Sequence, residues 1–239
     1  MKAFFTLFAF NLICLLLKSQ QPYESFHLTL NGSGAFPVGS FKEAVAPDGG
    51  GFGIGGGASA LFNPRGKVEY CPVFLGVDFN YLSFGRDKQA ATDYMPALKT
   101  AFNYYGISAI SRLFLTAKKS GIVPFIDGQI GLNIINTRTK IDKDLADLIL
   151  GEDYPEVLNT TNDLGLMYGA SIGFYTRKPL DENNRRMASF FMKTGYVAGD
   201  NIEHVKRGSL KMVNGNVTYQ TTTTSVNNIV IQLGFVLPI

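Results

Sequence analysis

Residues 102–137, FNYYGISAISRLFLTAKKSGIVPFIDGQIGLNIINT, decide the fold, because two alternating runs meet there at a short polar turn. A period of two places successive side chains on opposite faces of a strand. When the runs are paired about residues 119–120, Arg112 lies opposite Asp127 on one face and aliphatic residues oppose one another on the other. A shift of one residue would destroy both matches. The segment therefore predicts an antiparallel hairpin with one polar and one apolar face.

The same alternation recurs along the chain and predicts eight strands. They cover residues 26–31, 52–60, 68–84, 102–115, 122–137, 164–176, 187–198 and 229–239. The connections between them alternate in length: the short ones are 63–67, 117–121 and 177–186, and the long ones are 35–50, 85–101, 138–163 and 199–225. An even strand number, with short turns on one rim and long loops on the other, is typical of an outer-membrane barrel. We predict an all-β fold, an eight-stranded antiparallel up-and-down transmembrane β-barrel.

The composition of the two faces predicts which one lines the interior. One face carries large aliphatic and aromatic residues on every strand, and the other carries mostly Gly, Ser, Asn, Gln and charged residues. The interior of an eight-stranded barrel is just wide enough to be filled by side chains, and large apolar residues from all strands would overfill it. We therefore expect the apolar face to contact lipid and the polar face to line the lumen. The predicted lumen network is Asp78, Arg112, Asp127, Gln129, Lys193 and Gln232.

Charge pairing within that network predicts a plugged lumen that conducts little. Arg112 and Asp127 are cross-strand partners, and Asp78 and Lys193 also face inward, so the four charges sum to zero. A charge in a narrow and poorly hydrated interior is costly unless it is paired.

Aromatic residues near the strand ends predict the interfaces with the headgroups, where amphipathic rings are enriched. At the outer interface we expect Tyr105, Tyr168 and Tyr196, and nearer the inner one Phe114, Phe174 and Phe190. Within the sixth and seventh strands, the expected register pairs Phe174 with Phe190 and Tyr168 with Tyr196.

The start of the chain predicts export. Residues 1–19 have a basic start, a short apolar run and a small residue at the end, which is typical of a secretory signal peptide. Residues 20–239 would then form the barrel domain. Lys2 and Lys18 supply most of the net charge of +3, so the remainder is close to neutral and nucleic acid is not expected as a partner. Outside residues 1–19, Cys71 is the only cysteine, which excludes an internal disulfide and a cysteine metal cluster.

Two motifs that suggest chemistry are better explained by structure. Residues 51–56, GFGIGG, match the dinucleotide pattern G-x-G-x-x-G, but the alternation continues and no helix follows. We interpret this stretch as a strand in which Gly57 lies opposite Phe74. The two histidines, His27 and His204, lack a recognisable partner nucleophile. We therefore predict no enzymatic activity, no catalytic residues and no cofactor.

The loop 138–163 is acidic, with seven Asp and Glu against three Lys and Arg. Asp142, Asp144 and Asp147 resemble a calcium loop only loosely, because the spacing differs and the central glycine is absent. Apolar residues at helical spacing favour a short helix instead. A solvated acidic loop and a cation site both remain open.

The chain resembles the small outer-membrane β-barrel family of Bacteroidetes-type Gram-negative bacteria, within the OmpA/OmpX-like group. The resemblance is carried by residues 34–41 (GAFPVGSF) after the first strand, by the glycine-rich second strand and by the alternating last strand. It implies insertion by the outer-membrane assembly machinery, which reads the last strand. This strand ends at Pro238 and Ile239, whereas many such proteins end on an aromatic residue.

The expected function is a structural or surface-interaction role in the outer membrane, with long loops outside that contact a protein partner. One alternative is an accessory barrel of a secretion or gliding apparatus. Another is a soluble secreted binder of lipocalin type, which would require the apolar face to point inward.

Overall fold

The protein is a closed barrel of eight strands in the computed structural model, which describes residues 25–45, 51–66, 71–90, 97–116, 121–141, 157–177, 188–209, 211–213 and 216–238. In chain order the elements are β1 (Phe26–Val38), α1 (Ser40–Val45), β2 (Gly53–Phe62), β3 (Val73–Gln89), β4 (Leu98–Phe114), β5 (Gly121–Ile141), β6 (Val157–Arg177), β7 (Ser189–Gly199), β8 (Asn201–Val205), β9 (Lys211–Val213), β10 (Asn216–Thr218), β11 (Thr221–Ser225) and β12 (Asn227–Pro238). The predicted signal peptide lies outside the described residues.

The barrel has up-and-down topology. Strands β1 to β6 each pair antiparallel with the next strand in the chain, and β12 pairs with both β7 and β1 to close the sheet. We call the rim that holds the β2–β3, β4–β5 and β6–β7 connections the turn end, and the opposite rim the loop end. The predicted fold class is confirmed. Closure leaves the barrel with no free edge strand that could pair with another chain.

The strands extend further towards the loop end than the sequence predicts. The β4–β5 pairing continues to Leu98 opposite Ile141, and β6 begins at Val157. Residues 138–141 and 157–163 of the predicted loop are therefore strand. Likewise β3 continues to Gln89, beyond a bulge between Ser83 and Arg86. The prediction failed there because polar residues occupy both faces once the strands leave the apolar belt.

One predicted register is confirmed and two are wrong. Arg112 lies opposite Asp127, as expected. In β6–β7 the structure pairs Phe174 with Met192 and Tyr168 with Ala198, a shift of two residues from prediction. A shift of two keeps every side chain on its face, so alternation alone cannot detect it. Gly57 lies opposite Asn80 rather than Phe74.

Large apolar side chains cover the outside of the barrel. Ile130, for example, is 65% exposed, and every barrel strand contributes such residues. They include Leu30, Ile54, Val77, Phe79, Ile107, Leu132, Leu166, Ile172, Phe190, Leu233 and Phe235. A water-soluble protein rarely exposes an apolar surface of this extent, so the outward orientation argues against the lipocalin-type alternative. Among the described residues, no helix has the length and hydropathy needed to cross a membrane.

The interior is less uniformly polar than the sequence suggests. Two clusters of buried apolar side chains lie inside, one towards each rim, and the charged residues lie between them. Large rings fit because glycines face them. A Cβ on Gly173 would lie 2.7 Å from the Phe125 ring, and one on Gly234 would lie 2.8 Å from the Phe191 ring.

Candidate functional site

The centre of the lumen holds an ion pair shielded from water. Arg112 is 0% exposed and Asp127 is 1% exposed. The Arg112 Nε and Nη2 atoms each donate a hydrogen bond of 2.8 Å to a different carboxylate oxygen of Asp127. Lys193 Nζ approaches Asp127 Oδ2 at 3.4 Å. The Arg112 guanidinium also lies 3.9 Å from the centroid of the Phe125 ring. A bidentate geometry of this kind fixes the orientation of both groups.

A second chain of hydrogen bonds runs from β3 to β12. Asn80 donates to Asp78 Oδ2 and accepts from Gln232 Nε2, which also donates to Ser33 Oγ at 3.1 Å. The predicted network includes Asp78 and Gln232 but not Asn80, which connects them. The alternation could have indicated Asn80, because it lies two residues after Asp78 and therefore on the same, lumen-facing side of β3. The network therefore links three strands across the barrel.

A small cavity separates these groups. Its volume is about 30 Å³, and its polar lining includes Asn80, Gln129, Lys193, Asn228 and Gln232. This is enough space for about one or two water molecules. Within this lining, Gln232 Oε1 and both polar side-chain atoms of Asn228 have no protein hydrogen-bond partner. Buried polar atoms without protein partners are commonly satisfied by water, so a small hydrated site fits this lining.

The turn end of the lumen is filled by an aromatic layer. Its members are Leu61, Phe74, Ile110, Phe114, Val123, Phe125, Tyr175, Phe191 and Val236. His27 stacks on Phe74 with ring centroids 4.6 Å apart. The prediction that Phe114 lies at the inner lipid interface is wrong, because its side chain is only 4% exposed and packs in this layer. Phe114 follows the lipid-facing Leu113, so alternation places it in the lumen.

A folded cap covers the loop end of the lumen. The last long loop, predicted over residues 199–225, contains the hairpin formed by β8 and β11. Ile202 and Val226 are 0% exposed and pack in one cluster with Phe41 of α1, Phe84 and Phe102. Gly165 admits this hairpin, since a Cβ there would lie 2.8 Å from Ile202 Cγ1.

Arg207 anchors the cap to the barrel. Its Nη1 donates to the backbone oxygens of Val45 at 2.8 Å and Phe84 at 3.2 Å, and Nη2 donates to Arg86 O at 3.0 Å. The next amide, Gly208 N, donates to Asp87 Oδ2 at 3.0 Å. The sequence does not indicate this contact, because it joins segments more than 100 residues apart.

His204 lies inside the cap and is 1% exposed. Its Nε2 lies 2.8 Å from Thr224 Oγ1, and its ring meets Phe41 edge-on with centroids 5.8 Å apart. Burial lowers the pKa of His204, against the opposing effects of the Val205 carbonyl and the Asp163 carboxylate. The neutral ring is therefore the form that suits the packed cap.

Most of the predicted interface aromatics lie towards strand ends, whereas Tyr168 lies near the middle of β6, opposite Ile130 of the apolar belt. Tyr105 contacts Tyr81, with ring centroids 5.2 Å apart, next to the polar residues of the loop end. Tyr168 and Tyr196 pair with Ala198 and Ile229 near the loop-end termini of β7 and β12. At the turn end, the Phe190 ring meets the Phe235 ring edge-on at 6.4 Å, and Phe174 lies close to the end of β6. Whether these rims coincide with membrane interfaces stays a prediction.

A metal site is not found within the described part of the chain, which holds no group of three or more His, Cys, Asp or Glu with suitable geometry. The acidic residues 142–156, for which a cation site or short helix was open, lie outside the described residues. Residues 51–56 lead into the strand β2 and not into a helix, so the dinucleotide motif has no structural support.

Comparisons with known proteins find similar architecture at low sequence identity. No family model and no curated protein matches the chain. Neisserial surface protein A (NspA) is similar over 90% of this chain and 97% of its own, with 15% identity and a TM-score of 0.41. A second similar structure is that of Ail, the attachment invasion locus protein of Yersinia pestis, in complex with the heparin analogue sucrose octasulfate. The similarity covers 90% of this chain and 97% of Ail, with 11% identity and a TM-score of 0.40. Both are small eight-stranded outer-membrane barrels, the architecture that this chain was predicted to have.

Proposed function

We propose that the protein is an outer-membrane β-barrel with a structural or surface-interaction role, in which the capped loop end faces outside. The observation that carries the proposal is the continuous apolar surface around a closed barrel. Among the described residues, the charged side chains at the level of this surface are Asp78, Arg112, Asp127 and Lys193, and they are buried inside. Lipid is the environment that satisfies such a surface. The loop end then presents a folded surface, built from α1 and the β8–β11 hairpin, to a partner.

We further propose that the lumen is plugged. Three features of the described residues support this: the aromatic layer at the turn end, the ion pair at the centre and the apolar cap at the loop end. The cavity between them, about 30 Å³, is far too small for a continuous water path. A role in selective transport of solutes through the barrel is therefore not favoured, and a role that depends on the outer surface is.

The membrane assignment is tested by fractionation and by gel mobility. A folded membrane barrel should remain with the outer-membrane fraction and should migrate faster in detergent gels before boiling than after boiling. A soluble periplasmic location without a mobility difference would contradict the assignment. Cross-linking of intact envelopes, with a reactive group placed at the exposed Lys206 of the cap, would then identify a partner at the loop end.

A further inference from the structure

A band of cations marks one side of the barrel above the apolar belt. Arg138 and Lys140 on β5 follow the apolar Ile134 and point outward at the loop end. Cross-strand pairing places Arg86 of β3 in the row of Arg138, with Ala101 of β4 between them. Lys88 and Lys99 lie in the row of Lys140. We call these two rows the cation rows. They span three neighbouring strands, or about 10 Å across the sheet.

Below the cation rows, the outward face changes in ordered steps. The adjacent row consists of Ser83, Asn103, Asn136 and Asn162, in which Asn136 donates to Asn162 Oδ1 at 2.6 Å and Asn103 lies 3.4 Å from Asn136 Oδ1. The next row towards the turn end is Tyr81, Tyr105, Ile134 and Leu164, and the one after it is Phe79, Ile107, Leu132 and Leu166. The same face therefore passes from apolar residues through amides to cations.

Acidic residues of these strands are turned away from the band. Asp87 and Asp163 point to the cap, where Asp87 accepts a hydrogen bond from Gly208 N and Asp163 Oδ2 accepts one from Glu203 N at 2.6 Å. Among the described residues of β3 to β6 beyond the apolar belt, no Asp or Glu shares the outward face with Arg138. Within the described parts of β3 to β6 beyond the belt, the carboxylates of Asp87 and Asp163 therefore lie on the cap side of the sheet, and Arg138 and Lys140 lie on its outer side.

The depth of the band brings its long side chains within reach of lipid headgroups. Arg138 lies four residues beyond Ile134, which is about 10 Å along the membrane normal for a strand tilted by about 40°. The headgroup region is about 5–8 Å deep on each side of the hydrocarbon core, and long cationic side chains can bend back towards it. An open depression of about 480 Å³ lies at this level, with Tyr105 and Ile134 on its apolar side and Asn136, Asn162, Thr160 and Arg138 on its polar side.

We propose that this face binds the phosphate groups of the lipids that surround the loop end of the barrel. The acyl chains of such a lipid lie on Ile134 and Leu132, its headgroup contacts the amide row, and its phosphate pairs with Arg138 and Lys140. The site is confined to one side, because β1, β2, β7 and β12 end near their last apolar residues, such as Phe36 and Ile229. The proposal rests on the membrane location proposed above and adds the lipid class that the barrel selects.

Lipid selectivity can be measured by electron paramagnetic resonance on the full barrel, refolded into phosphatidylcholine vesicles. The probes are spin-labelled phosphatidic acid, which carries a phosphate monoester, and spin-labelled phosphatidylcholine. At low salt we expect the wild type to restrict phosphatidic acid about twofold or more over phosphatidylcholine, and this preference should weaken with added salt. The double variant Arg138→Gln/Lys140→Gln should lower the ratio towards one.

A matched variant distinguishes a local lipid site from a general effect of positive charge at the loop end. Lys42→Gln/Lys206→Gln removes two exposed cations from the same end of the barrel, but from α1 and the cap, and should keep the wild-type ratio. An equal loss in both double variants, or a wild-type ratio near one, would overturn the proposal. All samples are first checked for the mobility difference between unheated and boiled protein. A barrel that inserts but shows no preference refutes the lipid site alone, whereas a chain that fails to insert refutes the membrane assignment.

Discussion

Replacing Arg112 by Leu isolates the contribution of the central ion pair. The change removes two charge-assisted hydrogen bonds of 2.8 Å and leaves the Asp127 carboxylate buried. Loss of one partner from a buried pair costs about 3–5 kcal/mol. Lys193 remains 3.4 Å from Asp127 Oδ2 and compensates in part, so we expect a loss near the lower limit, about 3 kcal/mol in the free energy of unfolding.

The double variant Arg112→Leu/Asp127→Asn should recover about 1–2 kcal/mol of that loss, because no carboxylate is then left unpaired at this position. Recovery should be incomplete because Lys193 also loses its contact with Asp127, although it keeps the opposite charge of Asp78 in the lumen. Arg112→Lys, which keeps the charge but not the bidentate geometry, should fall between the wild type and Arg112→Leu.

The chain contains no Trp, so unfolding is best followed by the fraction of unheated protein with folded mobility across a urea series in lipid vesicles. Lys206→Leu, at an exposed cation of the cap, serves as the control and should change stability by less than about 0.5 kcal/mol. A loss below about 1 kcal/mol for Arg112→Leu, or a double variant no more stable than the single one, would refute the view that this pair holds the lumen together.

Three other predictions address the belt, the lumen and the cap. Ile130→Arg or Leu132→Arg should lower the free energy of unfolding of the refolded barrel by about 2–4 kcal/mol. Thr221→Arg, on the exposed face of the cap, is the control and should have little effect. Similar losses at all three sites would show that the apolar belt does not contact lipid. Planar-bilayer recordings of the wild type should show no steady conductance of porin size, and a large open channel would contradict the plugged lumen. Burial lowers the pKa of His204 from its usual 6.5, so the opened cap binds more protons than the closed cap. The stability of the cap should therefore be full above pH 6.5 and should fall as the pH drops below 6.5. Hydrogen exchange of β8 and β11, corrected for the intrinsic rate, should therefore accelerate on acidification, and His204→Gln should abolish that dependence; an unchanged dependence in the variant would assign it to other groups.

The alternation of polar and apolar residues predicted which face of the sheet most side chains occupy, but not which residues they oppose on the adjacent strand. Arg112 and Asp127 were paired correctly because opposite charges mark the register, whereas the β6–β7 hairpin offers apolar residues at several equivalent positions and was placed two residues off. The same limit applied inside the barrel. Phe114 was assigned to the lipid side for its aromatic character, although its position in the alternation indicates the lumen.

The fold of the cap could not be predicted from the sequence for a different reason. Ile202, His204 and Arg207 are recruited by contacts with α1 and β3, which lie more than 100 residues away in the chain. Short segments such as β8 have no periodicity long enough to stand out from a loop. Their strand conformation depends on the apolar floor formed by Phe84 and Phe102 at the mouth of the barrel.

The position of the central ion pair within one hairpin has a consequence for assembly. Arg112 and Asp127 are 15 residues apart, whereas Lys193 is 66 residues from Asp127. Hairpins form in about 1–10 μs, and the entropy cost of closing a loop rises with its length. The two charges can therefore neutralise each other as soon as β4 and β5 meet, before the sheet closes. The part of the hairpin that carries the apolar belt, residues 102–115 and 122–137, can then enter the bilayer without net charge. The lysine of β7 joins a pair that already exists.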